Sequence, residues 1–429
     1  MKPSRDIPSK VLPIILVFLF TSILTVSASS PQHNGIRNTS DVQGAIWSHT
    51  YGGTLGDVCF DVIEVSNGGF AMTGYKDMNW TIDMGTLWIV RTDGDGNQLW
   101  NRTYTDNWSW GHSILECDDG GFLAAGKLVT DQPRIWLVRT DANGNHLWNR
   151  TYGGVQPAVG YVVSEMIECA EGGFAIFGSG PDSNSGNSDY YLIRINEDGN
   201  VLWNYAYNDG WMDSPAEKGL VQCSDGGFAM VGYRRGTTWQ PPYSDVWLVR
   251  TDANGNHLWN LTYGGPEAEF PNDILEADSD IVILLGVAIA GGEVRIIRVD
   301  NQGNVVLDRE LKNTGVVSLI KCSNGGYAVA GTAIDVQNEY TQDGYLARMD
   351  DDFNYFWEQT YNCSRYDMVL RMVGCSAGGF AMAGSADGDF WLLRVADQAP
   401  ASPIVLMALG IGVPVAFIAV VAILRVKRR

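Results

Sequence analysis

Asp141-Ala142-Asn143-Gly144-Asn145-His146-Leu147-Trp148-Asn149-Arg150-Thr151-Tyr152-Gly153 is the stretch on which the fold turns. Its first half is turn chemistry: Asp and Asn bond to backbone two residues on, and Gly accepts a positive φ. Its second half is rich in residues that suit a pleated strand. Almost the same words recur at Asp252/Gly255/Trp259 and at Asp93/Gly96/Trp100. Upstream, an aromatic-x-x-Arg strand precedes each copy, as in Trp136-Leu137-Val138-Arg139, and its Arg recurs as Arg91, Arg139, Arg194, Arg250, Arg298, Arg348 and Arg394.

Further upstream stands a Gly pair: Gly68-Gly69, Gly120-Gly121, Gly172-Gly173, Gly226-Gly227, Gly325-Gly326 and Gly378-Gly379, with a degenerate Ser279-Asp280. Five residues beyond each intact pair is another Gly (Gly74, Gly126, Gly178, Gly232, Gly331, Gly384), and Gly286 fills that place in the degenerate copy. The period is about 52 residues. Each unit reads as four strands. Strand a runs up to the Gly-pair turn, strand b follows it, strand c carries the Arg, and strand d follows the Asp-x-x-Gly turn. Four antiparallel strands per unit of 40–50 residues is the sequence pattern of a propeller blade.

Closure gives an independent check. The seventh unit stops after strand c (Phe390 to Val395), while the chain begins with an orphan strand d, Ile46 to Gly53. Together they complete one sheet and leave no open edge. The expectation is an all-β, seven-bladed β-propeller over residues 46–396, closed by pairing of its N- and C-terminal strands.

The Asp-x-x-Gly-x-x-x-Trp hairpin resembles the tryptophan-docking motif of quinoprotein-alcohol-dehydrogenase-type propellers, one residue shorter between Asp and Gly. With Tyr-Gly-Gly and Asp-Gly-Gly-Phe it is similar to secreted propeller repeats of bacteria and archaea. The resemblance covers roughly residues 46–396 and implies a fold; propellers host many activities, so it implies none in particular.

The Trp at repeat positions (47, 88, 100, 136, 148, 203, 247, 259, 357 and 391) are expected between blades. The strand-b Gly are expected where neighbouring sheets approach closely, and the Arg in structural bonds to carboxylates or carbonyls. Asp93-x-Asp95-Gly96-Asn97 resembles the front of a calcium loop, but strand d supplies no bidentate Glu. Turn chemistry explains the same residues, so no metal and no cofactor is expected, calcium being the one ion such turns invite. Cys117, Cys169, Cys223, Cys322 and Cys375 share one register of strand a, too far apart around a ring to pair, and read as small buried hydrophobes. Cys59 and Cys363 lie outside that register in units that closure makes neighbours, so a Cys59–Cys363 disulfide is the pairing to look for.

The ends set the topology. Residues 1–28 read as a signal peptide: basic head, apolar Val11 to Val26, small-residue exit at Val26-Ser27-Ala28; an uncleaved anchor is the alternative. Residues 29–45 are a linker and 397–403 a stalk. Residues 404–424 carry no charge and suffice for one transmembrane helix, with the basic tail 425–429 on the cytoplasmic side. The ectodomain is then outside the cell membrane. Sequons at Asn38, Asn79, Asn101, Asn107, Asn149, Asn260 and Asn362 suit that placement.

The chain of 429 residues has a formal net charge of −20; residues 1–10 carry net +2 and the last five net +4, which leaves −26 for the rest. A folded body that acidic repels phosphate backbones and excludes nucleic acid as a partner. No spacing of Ser, His and acid reads as a triad, and no His/Asp cluster as a metal site. Five Trp lie off the repeat register: Trp80, Trp108, Trp110, Trp211 and Trp239. All fall in b–c or d–a connections, which share one face, and loops on a rigid scaffold commonly carry recognition. The reading is a non-catalytic binding or adhesion module for a surface glycan or protein partner. A polysaccharide-active or quinone-linked surface enzyme and a structural coat component are the alternatives.

Overall fold

The computed structural model describes residues 37–38 and 42–397, apart from 80–83, 106, 131–132, 154–160, 182–187, 209–211, 236–243, 288–292, 313–314 and 336–340. The expected signal peptide, stalk and transmembrane segment lie outside the described residues. Among the described residues no helix is long and apolar enough to cross a membrane.

The protein is all-β and built from four-stranded antiparallel sheets. The second repeat is representative: Trp108–Glu116, Phe122–Val129, Pro133–Thr140 and His146–Tyr152 pair in sequence order. The Gly pair is required where expected. Gly69 has φ +79°, and a Cβ there would lie 2.2 Å from the Thr92 carbonyl oxygen. The degenerate fifth copy turns instead on Asp278 and Ser279, at φ 55° and 72°. Asp and Ser tolerate this region poorly compared with Gly, so the loss carries local strain.

The chain ends meet as the sequence predicts. Ala45–Tyr51 pairs antiparallel with Asp389–Val395, Thr50 opposite Trp391. A two-residue strand, Arg37–Asn38, continues that sheet outward through Arg37 opposite Thr50. The fourth and fifth repeats touch through the parallel pairing of Lys218 with Asp273, and a parallel bridge also joins Ser244 and Ala268.

The strand-b glycines meet the neighbouring sheet at Gly74 (Phe390 Cζ, 2.8 Å from a Cβ) and Gly232 (Tyr190 hydroxyl, 2.5 Å), but their nearest obstacle is another one. A Cβ on Gly74 would sit 1.9 Å from the Val58 oxygen, on Gly126 1.8 Å from Trp110, and on Gly384 1.9 Å from Met368. These carbonyls belong to strand a of the same sheet, not to the next one. Strand a carries an extra residue there, between Cys59 and Asp61, Gly111 and Ser113, Val163 and Glu165, Pro271 and Asp273, Val316 and Ser318, and Val369 and Arg371. Such a bulge turns the strand and re-aims the side chain that follows it. Only glycine opposite leaves room for the displaced carbonyl.

The core lies between sheets. Tyr51, Cys59, Met72 and Trp88 pack with Ala383, Phe390 and Leu392, joining first and last repeats in one apolar layer. Trp88, Trp136, Trp247 and Trp391 of strand c are all buried in such layers. The expected Cys59–Cys363 disulfide is not formed. Cys59 is buried in that layer and its thiol donates to the Asp61 carbonyl at 3.3 Å. Cys363 packs against a different layer, around Tyr361 and Trp391. Adjacent sheets thus place the two sulfurs in separate apolar layers.

Candidate functional site

Two faces and a central axis present polar groups, and each has to be accounted for. On the face of the Asp-x-x-Gly turns, each strand-d Trp docks on the next repeat's turn. Trp100 lies over Gly144, where a Cβ would meet its ring at 2.8 Å, and its indole N–H donates to the Ala142 carbonyl at 3.2 Å. Trp148 covers Gly199, Trp203 covers Gly255 and Trp259 covers Gly303 in the same way. The Tyr four residues after the docking Trp adds a second bond: Tyr51 donates to the Gly96 carbonyl (2.5 Å), Tyr104 to Gly144 (3.1 Å), Tyr152 to Gly199 (2.7 Å) and Tyr207 to Gly255 (2.6 Å). The fifth repeat departs from the pattern: Leu307 replaces Trp and packs with Phe353, which replaces Gly at φ 59°.

The turn carboxylates are engaged within their own turns. Asp93 Oδ1 accepts from the backbone N–H groups of Asp95 (3.0 Å) and Asn97 (2.8 Å), and Oδ2 from the Asn97 amide (3.0 Å). Asp141, Asp252, Asp300 and Asp350 repeat the set. These bonds favour the ionised form and hold the carboxyls below their ordinary range. A calcium ion there would have to displace them. Among the described residues, no three His, Cys, Asp or Glu form a metal-holding group.

The recurrent Arg are structural, as expected: Arg91, Arg139, Arg194, Arg250, Arg348 and Arg394 bond inside their own sheets, whereas Arg298 donates to the Tyr327 hydroxyl (3.1 Å) and the Asp351 carbonyl (3.0 Å) of the sixth repeat. Arg348 donates to the carbonyls of Tyr327 (3.1 Å) and Met349 (2.7 Å) and to the Asn324 side chain (2.6 Å). Arg139 reaches Asp119 at 2.6 Å. All but Arg298 thus clamp the a–b turn of their own sheet against strand c.

Along the axis, the residue after each strand-a bulge faces its counterparts: Asp61, Ser113, Glu165, Asp273, Ser318 and Arg371, with Lys218 supplying the fourth repeat. They form a relay from one sheet to the next. Asp61 accepts from Ile114 N–H (2.9 Å), Ser113 donates to the Met166 carbonyl (3.2 Å), Glu165 accepts from Leu220 N–H (3.0 Å) and Asp273 from Leu319 N–H (2.8 Å). Met372 N–H then donates to Ser318 Oγ at 3.2 Å. Arg371 completes the circuit, 3.3 Å from Asp61, 3.6 Å from Asp273 and 3.8 Å from Glu165, while Lys218 lies 3.1 Å from Asp61. Three carboxylates face two cations; the carboxylates and Lys218 are buried and Arg371 is partly exposed. Burial pushes Glu165 up to about 7 despite Lys218 and Arg371, and raises Asp273 as well. Burial opposes the charge on Arg371, yet Asp273, Asp61 and Glu165 outweigh it and raise its pKa. Above this plug, His112 stacks on Phe60 (ring centroids 5.1 Å apart) and is held at about 4 by burial, Lys127 and Lys218, so it is neutral at pH 7.

This axial ring is what reading the sequence missed. A positional signal existed: Asp61, Ser113, Glu165, Asp273, Ser318 and Arg371 each stand four residues before the position that is Cys in five copies. No shared residue type marks them.

Of the five off-register Trp, Trp80, Trp211 and Trp239 lie outside the described residues. Trp108 and Trp110 sit together on the second repeat's strand a. Trp108 is exposed beside Asn107, Val129 and Thr130 in a shallow depression. Trp110 is half-buried with Phe60 and Leu370 against Val58, Tyr75 and Met78, and the Lys127 ammonium stands 4.8 Å from its ring. Trp108 is therefore accessible, whereas Trp110 is partly a packing residue. Asn107 is itself a sequon in that depression. Asn107, Asn149, Asn260 and Asn362 have exposed side chains, and Asn101 is half-buried. Asn38 and Asn79 lie on the strands Arg37–Asn38 and Phe70–Asn79.

The fold has solved counterparts. No family model matches the sequence, and no curated protein matches it. The chain is similar to the Dos1 propeller (12% identity, TM-score 0.50), covering 84% of this chain and 97% of that one. Other neighbours are the periplasmic gluconolactonase of Pseudomonas aeruginosa (12%, TM-score 0.49, 78% and 98% covered) and a europium-containing methanol dehydrogenase (12%, TM-score 0.46, 77% and 73% covered). The likeness to the Dos1 propeller agrees with the β-propeller fold that the repeat led us to expect. At this identity the likeness concerns fold alone.

Proposed function

We propose that the chain is a membrane-anchored surface protein whose seven-bladed propeller binds a surface glycan or a protein partner without catalysis. The seven sequence repeats, each supplying four strands once the terminal strands are paired, support that blade count. The charge-free 404–424 stretch with its basic tail, and the apolar N-terminus, support the topology, with the ectodomain outside the cell.

The observation that carries the binding reading is how the recurrent polar groups are engaged. Turn carboxylates, docking Trp, clamp Arg and the axial ring all have partners inside the fold. Recognition is then left to what departs from the repeat, the d–a and b–c loops with Trp108 at one edge. Large exposed aromatics are effective anchors for sugar rings or protein side chains.

The test is a thermal-shift screen of residues 30–398 against oligosaccharides, calcium with chelator controls, and pyrroloquinoline quinone. Ligand at about 100 times its dissociation constant stabilises by roughly 2.7 kcal/mol. A shift with a sugar that Trp108→Ala removes supports the reading. A shift with the quinone alone moves the assignment to an enzyme. No shift with any of them leaves a protein partner or a structural coat, which pull-down of a defined partner and self-association by sedimentation tell apart.

A further inference from the structure

Strand d carries a second repeated feature that packing does not explain. One residue before each docking Trp or Leu is a large apolar side chain: Leu99, Leu147 and Leu258 in three repeats, and Ile46, Leu202, Val306 and Phe356 in the others. All are between 53% and 64% exposed. Each stands at a register shift where strand d takes an extra residue, as between His146 and Trp148. Single exposed apolar residues are ordinary, but one at the same register of every repeat forms a water-facing ring on the rim, and such surface marks contact with something.

For three members of the ring the chain encodes a cover. Two residues after Leu99, Leu147 and Leu258 stand Asn101, Asn149 and Asn260, each in Asn-x-Thr. Along a strand that separation is about 6–7 Å, the reach of the first sugar of an N-linked chain. The Asn101 side chain is disposed for it. Its Oδ1 accepts the Trp88 indole N–H at 3.1 Å, which fixes the amide and leaves Nδ2 for the glycosidic bond. Asn149 and Asn260 are exposed, their amide nitrogens 3.1 and 3.0 Å from the neighbouring His146 and His257 rings.

We propose that N-linked glycans on Asn101, Asn149 and Asn260 lie over Leu99, Leu147 and Leu258 and cover the apolar rim there. The idea rests on the surface reading above, because the modification requires an exported ectodomain. A sugar ring offers a C–H face to an apolar side chain and its hydroxyls to water, so the cover makes the rim soluble. The attachment is a condensation of the Asn amide with an activated oligosaccharide donor. The amide nitrogen displaces the lipid-linked diphosphate from the anomeric carbon and gives up one proton.

The experiment uses the full chain purified from membranes. Protease treatment of intact cells first reports whether the ectodomain is outside. Mass spectrometry of its peptides then reports glycan occupancy at the three asparagines. Thr103→Ala, Thr151→Ala and Thr262→Ala remove the sequons from exposed positions without touching the Asn bonds, and the matching Ser variants retain them. The triple Ala variant should bind an apolar fluorescent dye about twofold or more above wild type at unchanged melting temperature. The triple Ser variant should behave as wild type, and adding Leu99→Ser, Leu147→Ser and Leu258→Ser to the Ala variant should abolish the gain. Cleavage from outside with bare asparagines overturns the cover while sparing the surface reading. An ectodomain protected inside the cell overturns both, and occupied asparagines with no gain in dye binding overturn the cover.

Discussion

Arg371 Nε lies 3.3 Å from Asp61 Oδ1, so the last repeat is tied to the first across the axis of the ring. The same guanidinium reaches Glu165 and Asp273. One side chain thereby balances acids from three repeats while belonging to a fourth. Removing it leaves the buried carboxylates with Lys218 as the one remaining cation of the pair, which costs far more than the pairing contributes net. Arg371→Ala should therefore lower unfolding free energy by about 3–5 kcal/mol. Asp61→Asn, which keeps the shape and an acceptor, should cost less. Chemical denaturation of both variants tests this, and equal effects would remove the special position given to Arg371.

The strand-b glycines predict a steep size dependence. In Gly126→Ala the new methyl would lie 1.8 Å from the Trp110 oxygen, a backbone atom that cannot swing away. In Gly144→Ala the obstacle is the Trp100 ring at 2.8 Å, at φ +76°. The first substitution should abolish folding or cost more than about 3 kcal/mol, and the second about 1–3 kcal/mol. Soluble yield and melting temperature rank them.

The fifth and sixth repeats offer a reciprocal test. Leu307 packs where other repeats carry a docking Trp, opposite Phe353 in place of Gly. Leu307→Trp alone should overfill that seat and destabilise by about 1–3 kcal/mol. Combined with Phe353→Gly, which restores the bare turn, much of the loss should return. A double-mutant cycle reads the coupling, and additive effects would mean that the two positions do not form one seat.

Stability should rise as pH falls from 8 toward 5. Burial raises Asp57, Glu165 and Glu269 to about 7 each, so the fold takes up protons there before the unfolded chain does. The sign follows: their stabilisation is fully present below the ordinary carboxylate range near 4 and is lost as pH climbs through about 7. His112, held at about 4, opposes the trend between about 4 and 6.5, but it is one group against three. Below about 4 the turn carboxylates Asp93, Asp141, Asp252, Asp300 and Asp350, whose values are depressed, protonate and lose their bonds, so stability falls again. Melting temperature from pH 3 to pH 8.5 should be bell-shaped, and a monotonic rise to pH 8.5 would contradict the burial assigned to the three acids.

Much of this was legible because local requirements repeat. Gly144 needs a positive φ and a bare face for Trp100, and Asp141 needs amides two and four residues ahead of it. Such demands fix a residue type, so they recur as the same letters and name the turns, strands, closure and docking Trp. The role of the strand-b Gly was only half legible because a bulge has no letter of its own: Gly126 is visible, the displaced Trp110 carbonyl it accommodates is not. The Cys59–Cys363 expectation failed for a related reason. Adjacency of repeats does not say which apolar layer a side chain enters.

By itself the sequence determined the repeat, the four-strand unit, the turn chemistry and the pairing of the chain ends, because each is a constraint within one unit or between its edges. Tertiary structure alone decided the axis, where Asp61, Ser113, Glu165, Lys218, Asp273, Ser318 and Arg371 share a place but no residue type. Their meaning is collective. A carboxylate is tolerated there because a guanidinium hundreds of residues away in the chain arrives opposite it, and only closure of the ring brings the two within reach.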